Sequence, residues 1–200
     1  MKKSLATLLA TVTLSFGIHA AEVIRIDTPE LDSTVQKVYS VYCPFCYKYE
    51  KAVTPNMIKH LPTGTTFQAI CLESKGELGI EACQVLAATA TIGEMQYKKA
   101  KLAMYSAVHD KKLASVKGKT AVEGTLRDIG LKAAGVSKEA FETALNTPQA
   151  QEKLAYDRTI AKTIALERGI PAIVINGNKL VNTATVGSLK DLDDTIAANL

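Results

Sequence analysis
After residue 20 the chain has no apolar run long enough to cross a bilayer, so no later segment reads as a membrane span. Net charge is scarce too. Lys and Arg number 24 and Asp and Glu 20, giving +4. Loss of Lys2 and Lys3 with a leader would leave 22 against 20, or +2. A balance that small argues against nucleic acid or a membrane surface as partner. Four cysteines are too few for a miniprotein built from disulfides. Zinc modules commonly need two C-x-x-C units, and only one is present. Repeats and low-complexity tracts are absent. So are paired-carboxylate, Gly-rich phosphate-binding and metal-ligand patterns in the long central block.

The opening segment reads as an address label. Met1-Lys2-Lys3 is a basic start, Leu5 to Ile18 is apolar, and Ala20-Ala21 supplies small residues for cleavage. That is the pattern of a secretory signal peptide over residues 1–20, cut after Ala20 or Ala21. A short, Lys-rich leader points to bacterial export and the periplasm, where disulfides persist. The remaining length suits one domain, residues 21–200, that can hold an insertion.

The central motif is Cys43-Pro44-Phe45-Cys46. It follows a β-favouring run, Val35 to Tyr42, and opens a helical pattern that continues to Lys59 or His60 with a bend at Pro55. Two thiols therefore stand where a strand gives way to a helix N-terminus. Unpaired N–H groups and the positive end of the helix dipole stabilise a thiolate there, so Cys43 is expected to be acidic. Pro44 fits an early helical position, which needs no N–H. Cys43 is expected at the exposed helix start, with Cys46 more deeply buried.

Glu22 to Asp27 and Thr65 to Cys71 read as further strands. The block from Glu77 to Arg168 carries helical periodicity, with helices expected at 79–92, 94–109, 120–134, 137–145 and 148–168. Thr120 with Glu123 and Ser137 with Glu139 mark two helix starts. Ile170 to Ile175 reads as a buried strand, Asn176-Gly177 as a hairpin turn, Lys179 to Thr183 as the returning strand, and 186–200 as a closing helix. The fold class is α/β.

The four cysteines divide most simply into Cys43 with Cys46 and Cys71 with Cys83. Cys71 ends a strand and Cys83 begins a helix. A structural bridge is the favoured reading, and a second redox pair the alternative. His60 and His109 fall at expected helix C-termini, where a cation is favourable for ordinary reasons. A Cys-His hydrolase would need a histidine beside Cys43 and no second thiol to quench it.

The order of strand, C-x-x-C, helix, strand, helical block, Pro-containing strand, hairpin and helix resembles a thioredoxin fold with an all-helical insertion at about 76–168. The stretches VYSVYCPFCYKYE and RGIPAIVINGNKLVN are similar to the two signature regions of the DsbA family of periplasmic thiol oxidases. The Pro-Phe dipeptide and the surrounding tyrosines look most like its DsbL subtype. The resemblance implies a thiol:disulfide oxidase in which Cys43 and Cys46 form the catalytic disulfide, with no small-molecule cofactor and no metal. It implies a cis bond at Ile170-Pro171, where an incoming peptide would pair with the Ile170 backbone; trans is the ordinary state of such a bond. It implies re-oxidation by a DsbB-type inner-membrane quinone reductase, or a DsbI-type partner for the DsbL subtype. An exported arylsulfate sulfotransferase would be one client, and the protein would act as a monomer.

Two positions depart from the family pattern. Phe45 replaces the histidine of DsbA and brings no charge. Lys37 stands six residues before Cys43, where the family usually buries an acid. Either Lys37 stabilises the thiolate or it reaches out to solvent and does nothing. Lys48 and Lys51 read as a solvated face. The rival activities are a disulfide isomerase or reductase of the same fold, and outside redox chemistry a zinc-binding module or a binding module without redox function.

Overall fold
The computed structural model describes residues 21–113 and 122–200. The expected leader therefore lies outside the described residues. Five strands form one mixed sheet: β1 (Val23–Arg25), β2 (Thr34–Tyr39), β3 (Thr66–Cys71), β4 (Ala172–Ile175) and β5 (Lys179–Val181). Their order is β1-β5-β4-β2-β3. β2 and β3 run parallel, and the other pairs are antiparallel.

β2 is covered on both faces, and every one of its residues is buried. Its alternating side chains sort into two cores. Val35 joins Met57, Ile173, Ile175, Leu192 and Ile196 beneath α1 (Pro44–Ala52), α2 (Thr54–His60) and α8 (Leu189–Asn199). Val38 joins Ile160, Ile164, Val174 and Leu180 on the face covered by α7 (Pro148–Arg168). Its Gln36 and Lys37 side chains follow the same alternation. Gln36 donates to Tyr156 of α7 at 2.7 Å, and Lys37 reaches Glu50 of α1.

Between β3 and β4 the chain builds α3 (Gly79–Ile92), α4 (Glu94–His109), α5 (Thr125–Ala134), α6 (Lys138–Leu145) and α7. Their buried Val85, Leu86, Met104, Tyr105, Leu126 and Phe141 form a third core that also holds Cys43 and Cys46. Helix packing thus reaches the C-x-x-C motif itself. Ser137 and Thr147 cap α6 and α7 by accepting from Ala140 N and Ala150 N.

Several boundaries differ from expectation. The run to Tyr42 stops as a strand at Tyr39, because Cys43 N donates back to Ser40 O and closes a turn. The first helix divides at Val53, two residues before Pro55, which lacks an N–H and crowds the carbonyl one turn back. α5 starts at Thr125, so Glu123 is outside it; Thr120 lies outside the described residues. Its cap comes from a distance: the Glu81 carboxylate accepts from Gly124 N and Arg127 N at 2.5 and 2.8 Å. β4 begins at Ala172 rather than Ile170, and Ile170-Pro171 is cis. The hairpin turn holds Asn176 and Gly177 at φ 50° and 77°, the left-handed conformations this pair favours. α8 opens late, after a short 3₁₀ turn at Thr183–Thr185, with Ser188 as its cap.

Candidate active site
β2 delivers the chain to the turn at Ser40–Cys43, and α1 leaves from it. Cys43 is the N-cap residue: its backbone is extended (φ −96°, ψ 114°), and its sulfur accepts the Cys46 N–H at 3.2 Å. Pro44 occupies the first turn, where no N–H is missed. Both cysteines carry free thiols, so this is the reduced arrangement.

Cys43 is 3% exposed and Cys46 0%, so the difference in burial expected from the sequence is small. Cys43 is not at an open helix start. The Ile170 carbonyl covers one side, its oxygen 3.5 Å from the Cys43 sulfur, and the inserted helices pack behind it. What the site presents to solvent is Phe45, 62% exposed, with Pro44 beside it.

The two thiols are unequal. Cys43 is drawn down to about 6, first by the Cys46 thiol that donates to it. Burial works against this, while the N–H groups of Cys46 and Phe45 and the positive charge of Lys75 support it. Cys46 moves the other way, because it is the donor in that pair and is buried. One proton shared unequally leaves a thiolate at the helix end and a thiol one turn in.

Of the two roles expected of Lys37, the structure contradicts the one in solvent. Its side chain has no exposed surface, so it does not reach solvent. Its ammonium donates to Glu50 at 2.5 Å and to Thr54 Oγ1 at 2.8 Å. Its charge reaches Cys46, where it opposes the upward shift, but it is not among the groups that lower Cys43. Glu50 also binds Lys101 at 2.6 Å. Burial would raise the Glu50 carboxyl, yet the two ammonium groups outweigh it and hold it below the ordinary carboxylate range.

Residues beyond the motif complete the site. Tyr47 stacks against both Tyr105 and His109, with ring centroids 5.1 and 5.5 Å away. His109 Nε2 lies 2.8 Å from the Val41 carbonyl and ties α4 to the turn before Cys43. Lys51 Nζ lies 3.8 Å from the Tyr47 ring centroid, and Lys48 5.5 Å from that of Phe45; both lysines are exposed, as a solvated face requires. Gly76 has φ +84°, and a Cβ there would enter the Tyr42 ring at 2.2 Å. The sequence singled out neither Lys75, Tyr105 nor Glu50. Lys75 and Tyr105 belong to no motif, Glu50 only closes the first signature stretch, and α4 reaches the site only through folding.

Cys71 and Cys83 are bridged, with Cα atoms 5.6 Å apart, joining the end of β3 to α3. The Cys71 N–H donates to the buried Asp157 carboxylate at 3.0 Å. Among the described residues no group of three or more His, Cys, Asp or Glu side chains is placed to hold a metal ion.

No family model matches the chain. Individual relatives do. It is 35% identical to the thiol:disulfide interchange protein DsbL of Escherichia coli over 213 residues, covering 95% of this chain and 92% of that one. The crystal structure of Salmonella enterica serovar Typhimurium DsbL superposes with a TM-score of 0.80 at 35% identity, covering 94% and 97%. The crystal structure of reduced DsbL gives 0.79 at 36% identity, covering 90% and 95%. The sheet, the motif at the start of α1 and the inserted helices are those of a thioredoxin fold with a helical insertion. With likeness of that depth along nearly its whole length, the chain belongs to the DsbL/DsbA family of thiol:disulfide interchange proteins and is a thiol:disulfide oxidoreductase.

Proposed function
We propose that the protein works as an oxidase in the periplasm, with Cys43 as the attacked sulfur and Cys46 as its resolving partner. The observation that carries this reading is the unequal pair: a Cys43 thiol drawn to about 6 beside a Cys46 thiol pushed up. Starting from the Cys43–Cys46 disulfide, a client thiolate attacks Cys43 Sγ. The S–S bond breaks, and Cys46 leaves with the electron pair and takes up a proton. A second client thiolate attacks the client sulfur of the mixed disulfide, and Cys43 leaves as a thiolate. Two electrons pass from client to protein, and the client gains a disulfide. A leaving thiol of low pKa leaves faster, and a stabilised reduced form makes its disulfide the stronger oxidant.

The Ile170 carbonyl beside Cys43 and the exposed Phe45 favour docking of an extended client segment across the Ile170-Pro171 turn. The cysteine pair is the redox unit, and no small-molecule cofactor is needed. In this reading residues 1–20 are a cleaved export signal, residues 21–200 the mature domain, and 76–168 its insertion. Clients are reduced exported proteins, an arylsulfate sulfotransferase among them. A DsbB- or DsbI-type quinone reductase restores the disulfide to a monomeric protein.

The test is the redox equilibrium of the protein with glutathione, read by mass spectrometry. One pair, Cys43 and Cys46, should exchange, and it should stand more oxidising than glutathione. A pair less oxidising than glutathione would favour the isomerase or reductase reading instead.

A further inference from the structure
Away from Phe45 and Ile170, a cavity of about 1080 Å³ opens between α2, the outer edge of β3, and helices α4 and α7. Its size is that of a pocket for a small organic molecule. Leu31, Ile58, Phe67 and Leu102 give it apolar walls. Ile58 and Leu102 are 42% and 45% exposed, so large apolar groups stand at the wall without a covering partner.

The charged groups of the lining are not evenly matched. Lys98 pairs with Glu94 at 2.5 Å and Lys153 with Asp157 at 3.0 Å, so these four cancel locally. Glu152 is exposed, where water screens it. Lys101 differs. It is 4% exposed and lines the cavity beside Glu50. Among the described residues its ammonium pairs with one carboxylate oxygen, Glu50 Oε1 at 2.6 Å. Its other close neighbours are the faces of the Tyr97 and Tyr39 rings, at 4.6 and 5.6 Å. Glu50 is already shared with Lys37. Among the described residues, two buried ammonium groups thus face one carboxylate, and one positive charge has no anion of its own at the cavity wall. Burial draws Lys101 down to about 8, as expected of a cation short of compensation.

We propose that this cavity binds a small amphipathic organic anion, an aryl or branched alkyl body carrying a single carboxylate or sulfonate group, with the anion paired to Lys101 and the body against Phe67, Ile58 and Leu102. The apolar walls supply area, and the lone ammonium supplies orientation and selection for charge. A neutral body of the same shape would fill the walls but leave Lys101 uncompensated.

Amide NMR of the ¹⁵N-labelled protein tests this with naphthalene-2-sulfonate and its uncharged counterpart, naphthalene-2-sulfonamide. The sulfonate should shift the amides of Ile58, Phe67, Ala69 and Leu102 and saturate with a Kd below ~1 mM. The sulfonamide should bind at least about tenfold more weakly, and Lys101→Met should reduce the sulfonate to that level. Equal binding of the two probes by the wild type overturns the proposal. So does the absence of saturation, or a set of shifts centred on Phe45 and Ile170. The wild-type comparison of the two probes decides the matter even if the Lys101 variant does not fold.

Discussion

Lys37 Nζ lies 2.5 Å from a carboxylate oxygen of Glu50, and the two side chains are 0% and 10% exposed. A cation that stands six residues before the reactive cysteine is thereby committed to structure. Removing one partner of a buried pair leaves the other uncompensated, at a cost of ~3–5 kcal/mol. Lys101 still holds Glu50, so Lys37→Met should fall near the lower end, ~3 kcal/mol, in urea unfolding. The Cys43 thiolate, followed at 240 nm, should still titrate at about 6, because Lys37 is not among the groups that lower it. A midpoint raised by a full unit would restore Lys37 as a thiolate partner.

The thiolate has a consequence for stability against pH. The Cys43 thiol titrates at about 6 in the folded reduced protein and near the ordinary thiol value, ~8.5, when unfolded. The depressed group therefore contributes stability that is full above ~8.5 and is lost as pH falls through 6. Between those limits the unfolded state binds more protons, so stability rises with pH. The oxidised protein has no such titration. Denaturation curves of the two forms should show the reduced one gaining on the oxidised one from pH 6 to ~8.5, and parallel behaviour below 6. Cys43→Ser should abolish the gain.

Phe45 sits between the cysteines with most of its ring in solvent. It brings no charge, and nothing in the packing demands it. Phe45→His should leave stability within about 0.5 kcal/mol, as for a surface change. Once protonated, the imidazole adds a cation beside Cys43, so the thiol should titrate below the wild-type value. Absorbance at 240 nm reads the shift, and an unchanged midpoint would mean that the side chain points its charge away from the sulfur.

How much of this was legible beforehand follows from how local each feature is. Cys43-Pro44-Phe45-Cys46 between a β run and a helical pattern defines the cap within four residues, and Asn176-Gly177 defines the hairpin within two. The helices around 79–109 and 138–168 likewise declare themselves through periodicity and caps. What escaped was contact across distance. Glu81 caps a helix 43 residues away, and Tyr105 and His109 reach the motif from α4. Val41 and Tyr42 look like strand residues because the aromatic and β-branched types that favour strands also line this turn. Lys37 was ambiguous for the same reason: its partner Glu50 is on the next element, and only packing brings the two together.

The Cys71–Cys83 bridge can be separated from the redox pair by experiment. It ties β3 to α3 across a sequence separation of 12 residues, and both of its cysteines are buried. Closing a loop of that size stabilises by ~2–4 kcal/mol on the chain-entropy model. Replacing both residues with alanine should lower the unfolding free energy of the oxidised protein by about that amount, ~2–4 kcal/mol. The Cys43 titration should stay at about 6, because none of the groups that set it belongs to the bridge. Oxidation of a model dithiol peptide should continue at the wild-type rate below the melting temperature. If the double variant instead lost oxidase turnover while remaining folded by circular dichroism, the second pair would have a redox part to play, and the strand-to-helix junction would no longer count as scaffold.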